Sequence, residues 1–405
     1  MINRLLTASM FNFATKVIAA LLVLATQVVI SRHYVVGDLA TWSKLINYIN
    51  IATVASGIGL NISAVYHLRK KAADPSLVYG ASMIAFCVLS IFIFVVLFAA
   101  GVEPVHAALI GLFSFFNNTF FLHNARAQAA SDFKRVNLQN LLYATVNIIA
   151  IGLIYLSNAG LSIYNMLLIQ CAYLFVINVL LTKRSMFRTI AFADKREKLK
   201  SFFNYGGRIF VTNLLGILLY SGDIILLDFY LDDAMLAEYL LASTAMKFIW
   251  LAIDSMGLVL FPEFIQPSTE APVMKTLNKV FLIVSGLLGI SLLTFAFVGE
   301  YLVTAVYGSS FNNLFELIII LLIATFGVIF YKFLSRFFAA ARQWSRIYVP
   351  LIAGIFSNVL LIRLLVPKYE VMGAAYASVG AYVITGFIIG AWYYADSKKL
   401  KPVIQ

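Results

Sequence analysis

Residues 205–230, YGGRIFVTNLLGILLYSGDIILLDFY, and 236–262, LAEYLLASTAMKFIWLAIDSMGLVLFP, decide how this chain is read. Each run is longer than the roughly 20 apolar residues a helix needs to cross a bilayer. Between them they carry Arg208, Asp223, Asp228, Lys247 and Asp254. A charge inside hydrocarbon is costly and persists there only when it is paired or faces a polar cavity. The two runs therefore mark a membrane protein and, within it, the neighbourhood where a polar cargo would be met.

The remainder of the 405 residues agrees. The chain is 62% hydrophobic and 12% charged, about half the charge fraction of a soluble domain. Its formal net charge of +12 reads as cytoplasmic loops rich in Lys and Arg, not as a nucleic-acid surface. Cys87 and Cys171 fall inside apolar runs and say nothing of disulfides. Ser31-Arg32-His33 is no small-residue cleavage site, so the first apolar run stays as a span.

Twelve windows are long and apolar enough to span: 8–31, 41–66, 77–100, 105–126, 138–157, 161–182, 205–230, 236–262, 277–298, 312–335, 345–366 and 372–394. With loops assigned to alternate sides, most of the 30 Lys and Arg gather on the side of the termini. The opposite loops hold only Arg32 and Lys368, with Arg363 near that edge. This asymmetry puts both termini in the cytoplasm. The largest loop, the basic stretch Lys183–Asn204, is too short to fold alone. There is thus no room outside the membrane for a catalytic domain.

Six spans, a basic linker and six more suggest a duplication, which sets domains at 1–182, 183–204 and 205–405. A 196-residue offset lays His33-Tyr34-Val35 over Phe229-Tyr230-Leu231 and Gly59 near Gly257. An even number of spans per half relates the two six-helix bundles by a pseudo-two-fold along the membrane normal. That is the plan of an alternating-access transporter with a route near the midplane. Gly57, Gly59 and Gly206-Gly207 either loosen their helices or allow close helix packing.

The intramembrane polar residues supply the site candidates. Lys247 and Asp254, seven apart, share a helix face, and Lys16 lies at a depth similar to Asp254. One reading is a cationic pocket of Lys16 and Lys247 flanked by Asp223 and Asp254, carboxylates able to carry a coupling ion. The structural alternative is two ion pairs, Asp223–Lys247 and Lys16–Asp254. Glu316 and Arg363 are expected to pair between neighbouring helices. Arg208, Lys332 and Arg336 sit at inner span ends, where they anchor at headgroups or meet a lipid phosphate. The fourth span reads FFNNTFFLHN over 115–124; Asn117, Asn124 and Gln128 lie on one face, suited to sugar hydroxyls or to helix–helix hydrogen bonds. Asn147 and Asn178 join them. His33, His67, His106 and His123 are too dispersed to ligate a metal, and no P-loop is present, so no cofactor is expected.

Three segments carry a family resemblance: Ser335–Ala341 with Gln343, 358–369 (NVLLIRLLVPKY) and 371–378 (VMGAAYAS). Together with 221–228 (SGDIILLD) and Ala237-Glu238-Tyr239, they resemble the polysaccharide-exporter branch of the multidrug/oligosaccharidyl-lipid/polysaccharide (MOP) superfamily, in particular Wzx-type O-antigen flippases. Glu370 stands where that family has Gly after Pro-Lys-Tyr, and the Gly expected beside Tyr239 is missing. The resemblance implies a MATE-like fold in a bacterial inner membrane. The implied cargo is undecaprenyl-diphosphate-linked oligosaccharide, moved from the cytoplasmic to the periplasmic leaflet with an ion gradient. It implies Lys16, Lys247 and Arg208 at the diphosphate, Asn117, Asn124 and Gln128 at the sugar, and the polyprenyl tail left in membrane lipid. A polysaccharide polymerase and a chain-length regulator are the implied protein partners, and nucleic acid is not. Two other functions compete. A multidrug exporter of cations should have a carboxylate-rich cavity. A membrane enzyme such as a polymerase or acyltransferase should show a large outer loop or a paired His/Arg/Asp site.

Overall fold

The computed structural model describes residues 10–19, 21–22, 48–49, 51–156, 163–182, 196–227, 229–265, 273–307 and 313–397. Asp228, residues 183–195 of the basic linker, His33, Arg32, and much of the first two expected spans lie outside them. The regular structure of the described residues is helical: α1 (Leu60–Arg69), α2 (Pro75–Ala99), α3 (Pro104–Ala129), α4 (Phe133–Leu156), α5 (Ile163–Leu181), α6 (Arg196–Ser221), α7 (Asp223–Leu227), α8 (Asp233–Ile265), α9 (Val273–Tyr307), α10 (Leu314–Ala340) and α11 (Ser345–Ser397). Among the described residues, eight helices are long and apolar enough to cross a membrane. The long α8 carries Glu238, Lys247, Asp254 and Glu263 along its length. The protein is an all-α, polytopic membrane protein.

The ends of these helices follow from their sequence. Asp74 caps α2, its carboxylate accepting the Ser76 N–H at 3.1 Å, and Pro75 fills a first-turn position where a missing N–H is harmless. Gly101, at φ 84, closes α2, its N–H returning to the Phe98 carbonyl. Pro104 then opens α3.

The described residues divide into two compact units, one up to residue 211 and the other from residue 212. The sequence placed the boundary at 204/205; the units meet seven residues later, inside α6. The first turns of α6 pack within the N-terminal unit: Tyr205 stacks on Tyr66 at 4.3 Å, and Ser63 donates to the Phe202 carbonyl at 2.7 Å.

In the N-terminal unit the hub is α3, with 61% of its apolar window buried. Ile110, Phe113 and Phe120 of α3 meet Met166, Leu167, Leu174 and Ile177 of α5 in its core. In the C-terminal unit the hub is α10, with the same buried share, against 17% for Asn278–Thr304 of α9. Leu282, Leu287, Ile290, Leu293 and Phe297 leave α9 with an exposed apolar face suited to lipid. Each hub is the fourth expected span of its half. Helices α10 and α11 approach closely through glycine: a Cβ on Gly327 would lie 2.3 Å from the Tyr382 carbonyl oxygen, and one on Gly386 2.5 Å from that of Gly327.

Two breaks shape the helices. The span Ile51–Arg69 turns at Ile58 and Gly59, at φ 38 and 64. A Cβ at Gly59 would sit 2.5 Å from the Gly206 carbonyl oxygen. Gly59 therefore serves both roles the sequence left open, the break and the close approach. The 53-residue α11 is two helices joined at Glu370, whose φ of 48 and ψ of −130 are non-helical. The expected loop 367–371 is thus reduced to a kink.

Candidate substrate site

A polar seam runs along α8 in the C-terminal unit. It begins at Asp223, the buried first residue of the short α7. Its carboxylate accepts the Ile224 N–H at 2.9 Å and a short hydrogen bond from the Tyr239 hydroxyl. Tyr239 has one proton to give; with that proton on Asp223, the hydroxyl of Ser378, 2.8 Å away, donates to Tyr239. Two turns along α8, the half-buried Lys247 points its ammonium at the Ser221 hydroxyl, 3.4 Å away. The expected Asp223–Lys247 ion pair does not form, because Tyr239 and a backbone N–H satisfy the carboxylate first.

The seam's ionic centre is Asp254. Lys332 approaches one carboxylate oxygen at 2.8 Å and Arg336 the other at 3.1 Å. Arg336 also donates to the Asp254 backbone carbonyl at 3.2 Å. Lys332 and Arg336 are four apart on α10, so both reach from one helix face. The Lys332 ammonium lies 4.7 Å above the Trp250 ring and 6.0 Å from that of Tyr220. Trp250 in turn donates to Thr325 at 3.4 Å and meets Tyr220 edge-on. Gly257 leaves the socket for Arg336; a Cβ there would lie 1.7 Å from its Nη1. The side chains of Lys332, Asp254 and Arg336 remain 15%, 33% and 29% exposed over a buried aromatic floor.

Lys332 and Arg336 are partners of Asp254 within its own unit. Their place at inner span ends suits a headgroup anchor or a contact with a lipid phosphate. Their i,i+4 spacing, with Asp254 and Gly257 three apart on a facing helix, was the available signal. Which helices face each other is not written in that spacing. Glu316 and Arg363 form no ion pair among the described residues: both are exposed. Glu316 occupies the first turn of α10, where a carboxylate complements the helix dipole without a partner.

In the N-terminal unit the polar groups are amides. Asn118 donates to the Thr53 carbonyl at 3.0 Å and to the Ser56 hydroxyl at 2.9 Å, and accepts from Asn61 at 3.2 Å. Gly57 makes room for it, since a Cβ there would lie 2.7 Å from its Oδ1. Asn124 of α3 donates to Asn140 of α4 at 2.9 Å, and Phe120 stacks on Tyr143 at 5.1 Å. This antiparallel register sets Asn117 level with Asn147, one heptad further along each helix. The Oδ1 atoms of Asn117, Asn124, Asn147 and Asn178 are buried with no hydrogen-bond partner. Asn178 uses its N–H groups on the Phe116 and Leu174 carbonyls. Gln128 and Lys16 are half-buried, and Arg208 is exposed. No metal-ligating cluster occurs among the described residues.

Comparison with known proteins places this architecture. Solved structures share the fold across nearly the whole chain. The Vibrio cholerae MATE transporter VcmN matches with a TM-score of 0.80 at 13% identity, over 99% of this chain and 97% of that one. An outward-facing multidrug resistance MATE transporter of the MOP superfamily matches at 0.77 and 15%, over 99% and 96%. A Pyrococcus furiosus MOP-superfamily transporter, described as having a binding pocket of reverse polarity, matches at 0.74 and 15%, over 99% and 96%. No curated protein matches the sequence. The family model for polysaccharide biosynthesis proteins matches residues 45–316, most of the chain and all of the seam on α8. The chain is a member of the polysaccharide biosynthesis protein family, and its fold is that of the MATE transporters.

Proposed function

We propose that the protein is a flippase that carries diphosphate-linked oligosaccharide on a polyprenyl lipid from the cytoplasmic to the outer leaflet of a bacterial inner membrane. The observation that carries this reading is a polysaccharide-biosynthesis sequence on a transporter fold. An activated sugar built inside the cell must cross the bilayer, and its diphosphate cannot enter hydrocarbon unaided. Lys247, with one long contact to Ser221, and Lys16 take the diphosphate, and Arg208 meets it at the inner edge. The unpartnered carbonyl of Asn117, with Asn124 and Gln128, takes sugar hydroxyls. Asp223 carries the coupling ion. Asp254, already facing two cations, is the weaker candidate for that role.

Deleting the gene in a strain with no second flippase should abolish surface glycan and leave lipid-linked oligosaccharide on the cytoplasmic leaflet. Lys247→Ala should fail to restore export while inserting at wild-type level. Unchanged surface glycan in the deletion strain would sink the proposal. Intact glycan with new sensitivity to cationic drugs would favour a multidrug exporter, the activity named for one of its structural neighbours.

A further inference from the structure

We infer that Asn117, Asn124, Asn140 and Asn147 form a two-rung track for a glycan, and that the track takes neutral, hydroxyl-bearing sugars and rejects acidic ones. Asn124 donates to Asn140 at 2.9 Å, and the antiparallel register of α3 and α4 sets Asn117 level with Asn147. The rungs are seven residues apart on each helix, about 10.5 Å, a spacing that calls for more than one sugar ring. Between them Phe120 stacks on Tyr143 at 5.1 Å, an apolar surface against which the C–H face of a ring can lie. Asn140 is half-buried and keeps the track open along α4.

The chemistry of the track is one-sided. Asn117, Asn124 and Asn147 are each 8% exposed, and each leaves only its Oδ1 buried without a partner. An acceptor left bare inside a bundle is costly, and a donor from the ligand removes that cost. Sugar hydroxyls and acetamido N–H groups are such donors. A carboxylate has acceptors alone, so a uronic acid would set oxygen against oxygen. Arg126, two residues beyond Asn124, does not share its face and cannot offset that charge there. A hard cation is the poorer occupant, because its oxygen ligands must converge to about 2.3–2.6 Å from one point, and the two rungs do not. That the glycan is a transported cargo rests on the flippase reading; the preference for donors rests on the amides.

The test uses the full-length protein in phosphatidylcholine nanodiscs, titrated by calorimetry with three ligands. These are geranyl diphosphate, geranyl-diphosphate-linked cellobiose, and its cellobiouronic acid counterpart, whose outer sugar carries a carboxylate. Cellobiose should tighten binding about tenfold or more over the bare diphosphate, and the uronic acid should lose that gain. In Asn117→Leu and in Asn147→Leu the ratio of cellobiose to bare-diphosphate affinity should fall towards one, which a role in helix packing alone would not produce. If neither leucine variant folds, Asn140→Leu carries the test. It frees the Asn124 N–H as a donor, so the uronic acid should gain affinity relative to cellobiose. Cellobiose that binds no tighter than the bare diphosphate overturns the track, as does equal affinity for the neutral and acidic disaccharides. A sugar-dependent gain that survives both leucine substitutions overturns it too. Sodium or potassium competing with cellobiose would give the carbonyls to a cation instead. The flippase reading fails separately: normal surface glycan in the deletion strain would refute it and leave a sugar-selective site standing.

Discussion

Along the middle of α3 the polar contacts are amide ones: Asn118 with Thr53, Ser56 and Asn61, and Asn124 with Asn140. Around α10, the hub at the same place in the second half, they are ionic: Asp254 with Lys332 and Arg336. Both hubs face the same problem, since polar groups in a helical bundle must find partners within it. They solve it with different chemistry, and the solutions differ in what they leave over. The amide network leaves carbonyl oxygens, on Asn117, Asn124, Asn147 and Asn178, that can accept from hydroxyls. The ionic network leaves two cations around one carboxylate.

The contrast can be broken experimentally, and the largest effect is expected at the joint beside the amide network. Gly59→Ala would place a Cβ 2.5 Å from the Gly206 carbonyl at a φ of 64. A loss of about 3 kcal/mol or more is expected, read as a collapse of the thermal unfolding temperature in detergent. Tolerance of alanine there would mean that the N-terminal unit is not held by close backbone approach. Next, Asp254→Ala should cost about 2–3 kcal/mol, below the range for a fully buried pair because its side chain is 33% exposed. Asn118→Ala, which removes only neutral hydrogen bonds, should cost about 1 kcal/mol. Equal losses in these two variants would erase the distinction between the hubs.

The smallest effect is a gain. Glu370 holds a conformation, φ 48 and ψ −130, that suits glycine. Glu370→Gly should therefore stabilise the C-terminal unit by roughly 1 kcal/mol, measured as a rise in unfolding temperature. A fall would show that the Glu370 side chain makes a compensating contact.

Much of this was legible beforehand. The apolar windows announced a helical membrane protein, and the density of charge in 205–262 marked α8 as the polar element. The resemblance to polysaccharide exporters agrees with the family matched over residues 45–316, and the Gly missing after Pro-Lys-Tyr falls at Glu370, where φ is positive. The ion pairs were not legible. Glu316 and Arg363 sit at neighbouring span ends and both stay exposed, because depth constrains one coordinate of three. Lys332 and Arg336, long cationic side chains near a helix end, are expected to reach outward to headgroups or to a lipid phosphate. Here Gly257 opens a socket and Trp250 offers a ring, so they turn inward.

By itself, the sequence determined the class of molecule, because crossing a bilayer demands long apolar helices whatever their arrangement. It also determined which residues would be expensive to bury, and so where function would concentrate. Only the tertiary structure decided which of those residues meet. Partner choice depends on the rotation of each helix about its axis and on where glycine lets backbones approach, and neither is encoded in hydropathy. In residues 205–262 the charges were visible from the start. That Asp254 belongs to two cations of α10, leaving Lys247 to a serine and Asp223 to a tyrosine, is a property of the packed bundle.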